Sequence, residues 1–220
     1  MMQKRFFITA TGTGIGKSFI TAALVRQAHA GKHSVMAYKP VISGFDPAQA
    51  ADSDTGLLLA ALSLPPTPQN VECISPWRFR EPLAPSMAAR IEKSELDFTQ
   101  LADTTRAMTA GTEDVVLIEG VGGVMVPLDD SHTVIDWIAE LKIPALLVAG
   151  NYLGTLSHTL TALEALEIRR IPVGAIIINE SENDAVDLNA TRDELARRID
   201  VRLLTVHRND NGEGLRVLFD

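Results

Sequence analysis

The stretch Ala10-Thr11-Gly12-Thr13-Gly14-Ile15-Gly16-Lys17-Ser18 constrains the fold of this chain more than any other. A short apolar run, Phe6-Phe7-Ile8, precedes it, and a helix-like segment beginning at Phe19 follows it. Strand, glycine-rich turn and helix in that order make Gly-Lys-Ser a phosphate-binding loop rather than a chance tripeptide. Glycines let backbone N–H groups crowd around phosphate oxygens, and the helix offers its positive N-terminal end. Lys17 supplies a mobile charge for the outer phosphates, and the Ser18 hydroxyl suits Mg²⁺. The usual pattern places a glycine five residues before Gly16, where Thr11 stands here. A dinucleotide fingerprint is excluded, because its third glycine would fall on Lys17. The plain alternative is a glycine-rich turn capping an ordinary helix.

The remainder of the chain supplies the sheet that such a loop needs. Apolar runs at Ser34–Tyr38, Val115–Ile118, Ala145–Ala149 and Val173–Ile178 read as strands, and the last three are continuous in the way of strands covered on both faces. Helical patterns over Phe19–His29, Leu96–Thr109, Val134–Leu141, Thr155–Leu166 and Asp187–Arg198 alternate with them. The expected fold class is α/β, a phosphate-loop NTPase-type parallel sheet with helices on both faces, forming a single domain over residues 1–220. Pro65, Pro66, Pro68, Pro76, Pro82 and Pro85 make the stretch from Pro65 to Pro85 mostly turns and extended chain. The segment Leu215–Phe219 closes the chain as either a short strand or a helix.

A net charge of −8 argues against a nucleic-acid or anionic-membrane surface. Cys73 is the only cysteine, so no disulfide forms within the chain, which fits a cytoplasmic location, and it reads as a small semi-buried apolar residue. Lys4-Arg5 before Phe6-Phe7-Ile8 is too short a start for a signal peptide, because the run breaks at Thr9. No segment approaches the roughly 20 apolar residues that span a bilayer.

Ligands of open parallel sheets sit beyond the carboxyl ends of the strands, so the residues there are the candidates. Lys39 follows the second strand, in a loop shaped by Pro40 and Gly44, and opens toward the phosphate side. Asp54, within Asp52-Ser53-Asp54, is either a helix-capping residue or a carboxylate for Mg²⁺, and spacing leaves both open. Glu119 ends an apolar strand and precedes Gly120-Val121-Gly122-Gly123, a place for an acidic group that acts on Mg²⁺ directly or through water. Asn151 to His158 run into a helix whose first turn carries Thr155 and Ser157, which serve as plain caps or receive a carboxylate. His158 reads as a helix-face residue. Asn179 either reads a base edge or begins a turn.

Taken together, these segments resemble the dethiobiotin synthetase family from about Lys4 to Asn179. The resemblance is carried by the phosphate loop, by Tyr38-Lys39-Pro40-Val41-Ile42-Ser43-Gly44, by Ser53-Asp54, by Pro76-Trp77-Arg78-Phe79 through Pro82, Ala84 and Pro85, by Glu119 to Gly123, and by Leu153-Gly154-Thr155-Leu156-Ser157-His158. Ala10 and Gly12 depart from the Gly and Asp usual in the family, Ser18 replaces Thr, and the segment after Val206 departs from the expected base-binding loop. The resemblance implies an ATP- and Mg²⁺-dependent cyclo-ligase. It converts 7,8-diaminononanoate and CO₂ (or bicarbonate) to dethiobiotin through a carbamate that attacks the γ-phosphate. It also implies roles. Gly12, Thr13, Gly14, Ile15, Gly16, Lys17, Ser18, Glu119 and Asn179 bind nucleotide, with Asn179 on the base. Ser18, Asp54 and Glu119 hold Mg²⁺. Lys17, Lys39 and Thr13 are catalytic. Ser43 and Gly122 meet substrate, and Leu153, Gly154, Thr155, Leu156 and Ser157 reach it from the partner subunit of a homodimer.

Two other classes compete. Partitioning and septum-site ATPases carry an extra lysine early in the loop, and Thr11-Gly12-Thr13 has none. Related amide-forming ligases carry a glutaminase domain with a nucleophilic cysteine, for which 220 residues and Cys73 leave little room.

Overall fold

The computed structural model describes residues 3–182, 186–208 and 210–220. Strand β1 (Lys4–Ala10) leads into the phosphate loop and helix α1 (Lys17–Ala30), followed by β2 (Val35–Tyr38). Strand β5 (Val115–Glu119) pairs with β1 on one side and β6 (Ala145–Gly150) pairs with it on the other. With β7 (Val173–Asn179) and β8 (Leu203–Val206) they form a six-stranded sheet in the order β2-β5-β1-β6-β7-β8. Every pairing in it is parallel. The order reverses at β1, so the loop after it opens into the crevice where parallel sheets bind ligands.

Alternation along the strands divides the core. Phe7, Val116 and Ile118 face one layer, while Ile8, Val115 and Leu117 face the other. The first layer is covered by α4 (Pro85–Glu92), α5 (Phe98–Thr109), α6 (Val134–Leu141), α7 (Thr155–Ile168) and α8 (Leu188–Ala196). Its centre is Trp137, fully buried and edge-on to Phe7 at 4.9 Å. The second layer is covered by α1, α2 (Asp54–Ala61) and α3 (Pro68–Ile74). Helices on both faces of a parallel sheet are the α/β class that the strand–helix alternation predicts.

Several local expectations need correction. The stretch from Pro65 to Pro85 holds helix α3, in which Thr67 caps the N-terminus and Pro68 occupies the first turn, where its missing N–H costs nothing. It also holds β4 (Trp77–Phe79), which pairs with β3 (Val41–Ser43) in a separate parallel pair. Cys73 is exposed rather than semi-buried. Of the two alternatives for the last segment the helical one holds, as a 3₁₀ helix over Glu213–Leu218. Among the described residues, no helix is long and apolar enough to cross a membrane.

Candidate active site

The phosphate loop is shaped by backbone that only glycine adopts easily. Gly16 has φ of 94°, and a Cβ there would lie 2.3 Å from the Asn179 amide nitrogen. Asn179 sits at the end of β7 and donates from Nδ2 to the Ile15 carbonyl at 3.0 Å. This bond ties the loop to the sheet two strands away. One of the two amide N–H donors is spent on the loop, which leaves the other N–H and the amide oxygen of Asn179 for other partners.

Four charged side chains converge beside the loop. Glu119, the last residue of β5, is fully buried, and its Oε1 accepts from the Ser18 hydroxyl and from Lys39 Nζ, each at 2.6 Å. Lys39 Nζ also lies 3.0 Å from Asp54 Oδ2. Lys39 is 4% exposed, so it is no solvated surface lysine. Ser53 caps α2 by accepting from the Gly56 N–H, which leaves Asp54, the first residue of the helix, to face the cluster. The helix cap and the carboxylate are therefore two neighbouring residues rather than two readings of one.

The electrostatics follow from that packing. Burial pulls the Lys17 ammonium down, and the Lys39 charge pulls it further, to about 8. Burial also opposes charge on Lys39, but Glu119 and Asp54 outweigh it and raise its pKa. Burial pushes Asp54 up, yet the Lys39 ammonium and its hydrogen bond hold it below the ordinary carboxylate range. Two cations therefore face the cavity, one firmly charged and one easily discharged unless an anion arrives.

This cavity, of about 660 Å³, brings together Thr13, Gly14, Gly16, Lys17, Ser18, Lys39, Ser43, Asp54 and Gly122. Ser43 lines this cavity, and among the described residues neither its buried Oγ nor the buried Glu119 Oε2 has a hydrogen-bond partner, an arrangement that a ligand would complete. The donor set fits Mg²⁺. A hydroxyl and two carboxylates are hard oxygen ligands, and Mg²⁺ is commonly held by one or two carboxylates plus substrate phosphates and water. No group of three or more His, Cys, Asp or Glu side chains able to hold a metal occurs among the described residues.

A second cavity, of about 460 Å³, lies across Thr13 and is mainly apolar. Val124, Met125, Val126, Pro127, Ala162 and Ala165 line it with Thr11, Gly12, His158 and Thr161. The sequence reading missed it. The only signal was the apolar run Val124-Met125-Val126-Pro127 after the glycines. A third, of about 470 Å³, flanks the loop at Gly14, Ile15 and Gly16 and reaches Tyr152, Asn179 and Arg208. The residues Leu153, Gly154, Thr155, Leu156 and Ser157 line none of the three. Gly154, with φ of 98°, caps α7 without a side chain, Thr155 Oγ1 donates to the Gly150 carbonyl, and Leu153 is 83% exposed. Thr155 therefore holds the turn to the end of β6 instead of capping the helix. His158, on the face of α7, meets the Tyr152 hydroxyl at 2.8 Å.

A phosphate loop, an acidic strand end and helices on both faces of a parallel sheet define a P-loop NTPase fold. Known proteins agree and go further. A family profile described as an AAA domain matches residues 4–207. The septum-site-determining protein MinD from Pyrococcus horikoshii, solved with Mg-ADP, superposes with a TM-score of 0.56 at 16% identity, covering 99% of this chain and 94% of that one. A ParA family ATPase from Chlorobium tepidum gives 0.55 at 15%, covering 99% and 89%. At such identities the likeness is one of fold. Closer in sequence are proteins named ATP-dependent dethiobiotin synthetase BioD. The one from Acidiphilium cryptum is 47% identical over 90% of this chain and 89% of its own length. That from Methylobacterium nodulans is 43% identical over 96% and 97%. The chain belongs to the ATP-dependent dethiobiotin synthetase family, and it is an ATP-using enzyme of the ligase class.

Proposed function

We propose that the chain closes the ureido ring of dethiobiotin in biotin biosynthesis, from 7,8-diaminononanoate, CO₂ and ATP, with ADP and phosphate as the other products. The observation that carries this reading is the meeting of Lys17 and Lys39 in one cavity with Thr13 and Ser43, next to an apolar cavity across Thr13. The polar side suits phosphates and a carbamate, and the apolar side suits the aliphatic chain of the diamine acid.

One substrate amine adds to CO₂ and loses a proton, giving a carbamate. A carbamate oxygen attacks the γ-phosphorus of ATP as the bond to the ADP oxygen breaks. The second amine then attacks the carbamoyl carbon, a C–N bond forms, the C–O bond to phosphate breaks, and the amine loses a proton as phosphate leaves. Each intermediate is anionic, and preorganised cations are worth most where water is excluded. Lys39 is fixed by Glu119 and Asp54 to receive the carbamate, while Lys17 meets the γ-phosphate. Thr13 and Ser43 donate hydroxyl hydrogens between them, and Gly122 lends backbone contact. Gly12, Gly14, Ile15 and Gly16 wrap the phosphates, and Asn179 faces the base. Ser18, Asp54 and Glu119 would hold Mg²⁺, which would supply positive charge to offset the phosphates.

The active species in this reading is a cytoplasmic homodimer, in which the exposed loop Leu153–Ser157 of the partner subunit receives the substrate carboxylate. Support comes from the open apolar side chains Leu153 and Met125, 83% and 56% exposed. The test is a turnover assay with Mg²⁺, ATP, bicarbonate and 7,8-diaminononanoate, with dethiobiotin detected by mass. Its formation in step with ADP is expected, and ADP release that ignores the diamine overturns the reading.

A further inference from the structure

The third cavity shares Gly14, Gly16 and Phe19 with the phosphate cavity, so it adjoins the place where a nucleotide held by the loop would project its base. Its far wall comes from the ends of β7 and β8. Glu180 Oε2 accepts the Arg208 backbone N–H at 2.8 Å, which draws the loop after β8 against the end of β7. Arg208 lines the cavity, and its guanidinium meets Glu182 Oε1 at 3.2 Å. An exposed ion pair of this kind adds little to stability, so the pair is better understood by what it orients. It engages one terminal nitrogen of the guanidinium, at the wall of the cavity that Arg208 shares with Asn179.

We propose that Arg208 is a base-recognition residue: its guanidinium, held by Glu182, forms a planar wall against which the nucleobase stacks. This rests on the reading of the third cavity as the base site. A guanidinium suits the task because it is planar, permanently charged and weakly hydrated, and stacks on π faces. A lysine has the charge without the plane. Asn179 Oδ1 lies on the loop side of the same cavity and supplies an acceptor at the base edge, so edge and face are read by different residues.

The test compares equilibrium binding of Mg-ATP and Mg-tripolyphosphate, which lacks the base, to the wild type, Arg208→Ala and Arg208→Lys. Both variants are expected to bind ATP roughly five- to tenfold more weakly and tripolyphosphate within about twofold of the wild type. Equal weakening of both ligands assigns Arg208 to general phosphate attraction and overturns the proposal. So does ATP binding that does not change, or full recovery with Lys. Photolabelling of the wild type with 8-azido-ATP tests the underlying site separately. Label on the peptides holding Tyr152 or Asn179–Glu182 upholds the cavity as the base site whatever Arg208 does. Label confined to other peptides overturns both.

Discussion

Lys39 Nζ lies 2.6 Å from Glu119 Oε1, and Glu119 is fully buried with its other oxygen unpartnered among the described residues. In the protein without ligand, Lys39 is thus the main counter-charge of a carboxylate that has no access to water. Removing one partner of a buried pair costs far more than the pair is worth, because the other charge is stranded. Lys39→Met is expected to destabilise the ligand-free protein by about 3 kcal/mol, a fall in melting temperature of roughly 6–12 °C for a chain of this size. Mg-ADP should recover part of that loss by giving Glu119 a new cation. Thermal denaturation in chelator and in Mg-ADP checks both numbers, and an equal loss in the two conditions would deny Lys39 its role as counter-charge.

Lys39→Gln keeps a hydrogen-bond donor toward Glu119, on a side chain one atom shorter, but removes the charge that the proposed mechanism offers to the carbamate. Turnover should fall by roughly 10²-fold or more, while ATP affinity stays within about threefold because the loop and Lys17 are untouched. Single-turnover measurement of dethiobiotin beside equilibrium ATP binding separates the two effects. Normal turnover by this variant removes Lys39 from the chemistry.

Asp54 differs from Glu119 in being half exposed, so its substitution does not strand a buried group. Asp54→Asn should keep its melting temperature within a few degrees of the wild type, since the lost pair is partly solvated and worth about 1 kcal/mol or less. Its Mg²⁺ requirement should rise roughly tenfold, as expected for loss of one metal-side carboxylate. A titration of turnover against Mg²⁺ measures this. Full wild-type turnover in excess chelator would remove Ser18, Asp54 and Glu119 from metal binding together.

The exposed Leu153 carries the interface prediction. Leu153→Glu should leave the fold intact, because the side chain is 83% exposed in a single protomer. If the partner's loop meets the substrate, KM for the diamine should rise roughly tenfold while KM for ATP changes less than about twofold. Sedimentation of the two proteins over a range of concentrations shows whether the dimer weakens in parallel. An unchanged KM for the diamine places that loop away from the substrate.

The residues legible in the sequence were those whose placement is fixed by local context. Gly16, Lys17 and Ser18 lie between a strand and a helix, and Glu119 ends a run in which every residue is buried. What was not legible depends on long-range contact or on a residue acting against its usual reading. Pro68 suggests a break, yet with Thr67 as cap it begins α3. Strand β8 is an edge strand, only its last residue is buried, and its apolar pattern is correspondingly weak. The apolar cavity joins Val124–Pro127 to Ala162 and Ala165 on α7, a juxtaposition that sheet order creates and no local spacing reports. The Arg208–Glu182 pair likewise joins the ends of two adjacent strands.

Lys17 gives the site a pH dependence of unusual sign. Its folded pKa, about 8, lies below the ordinary value of 10.5, first because of burial and then because of Lys39. The unfolded chain therefore holds this proton more tightly than the folded one. The resulting destabilisation is present in full below pH 8 and is relieved as pH rises from 8 to 10.5. Phosphate oxygens reverse the balance, because they favour the charged ammonium and raise its pKa on binding. Nucleotide binding should accordingly take up close to one proton at pH 9 and only about a tenth of one at pH 7, with affinity falling roughly tenfold between those values. Calorimetry in two buffers of different ionisation enthalpy reads the uptake directly. Lys17→Met should bind more weakly at every pH and lose this component of the uptake; a variant that retains it would assign the proton to another group.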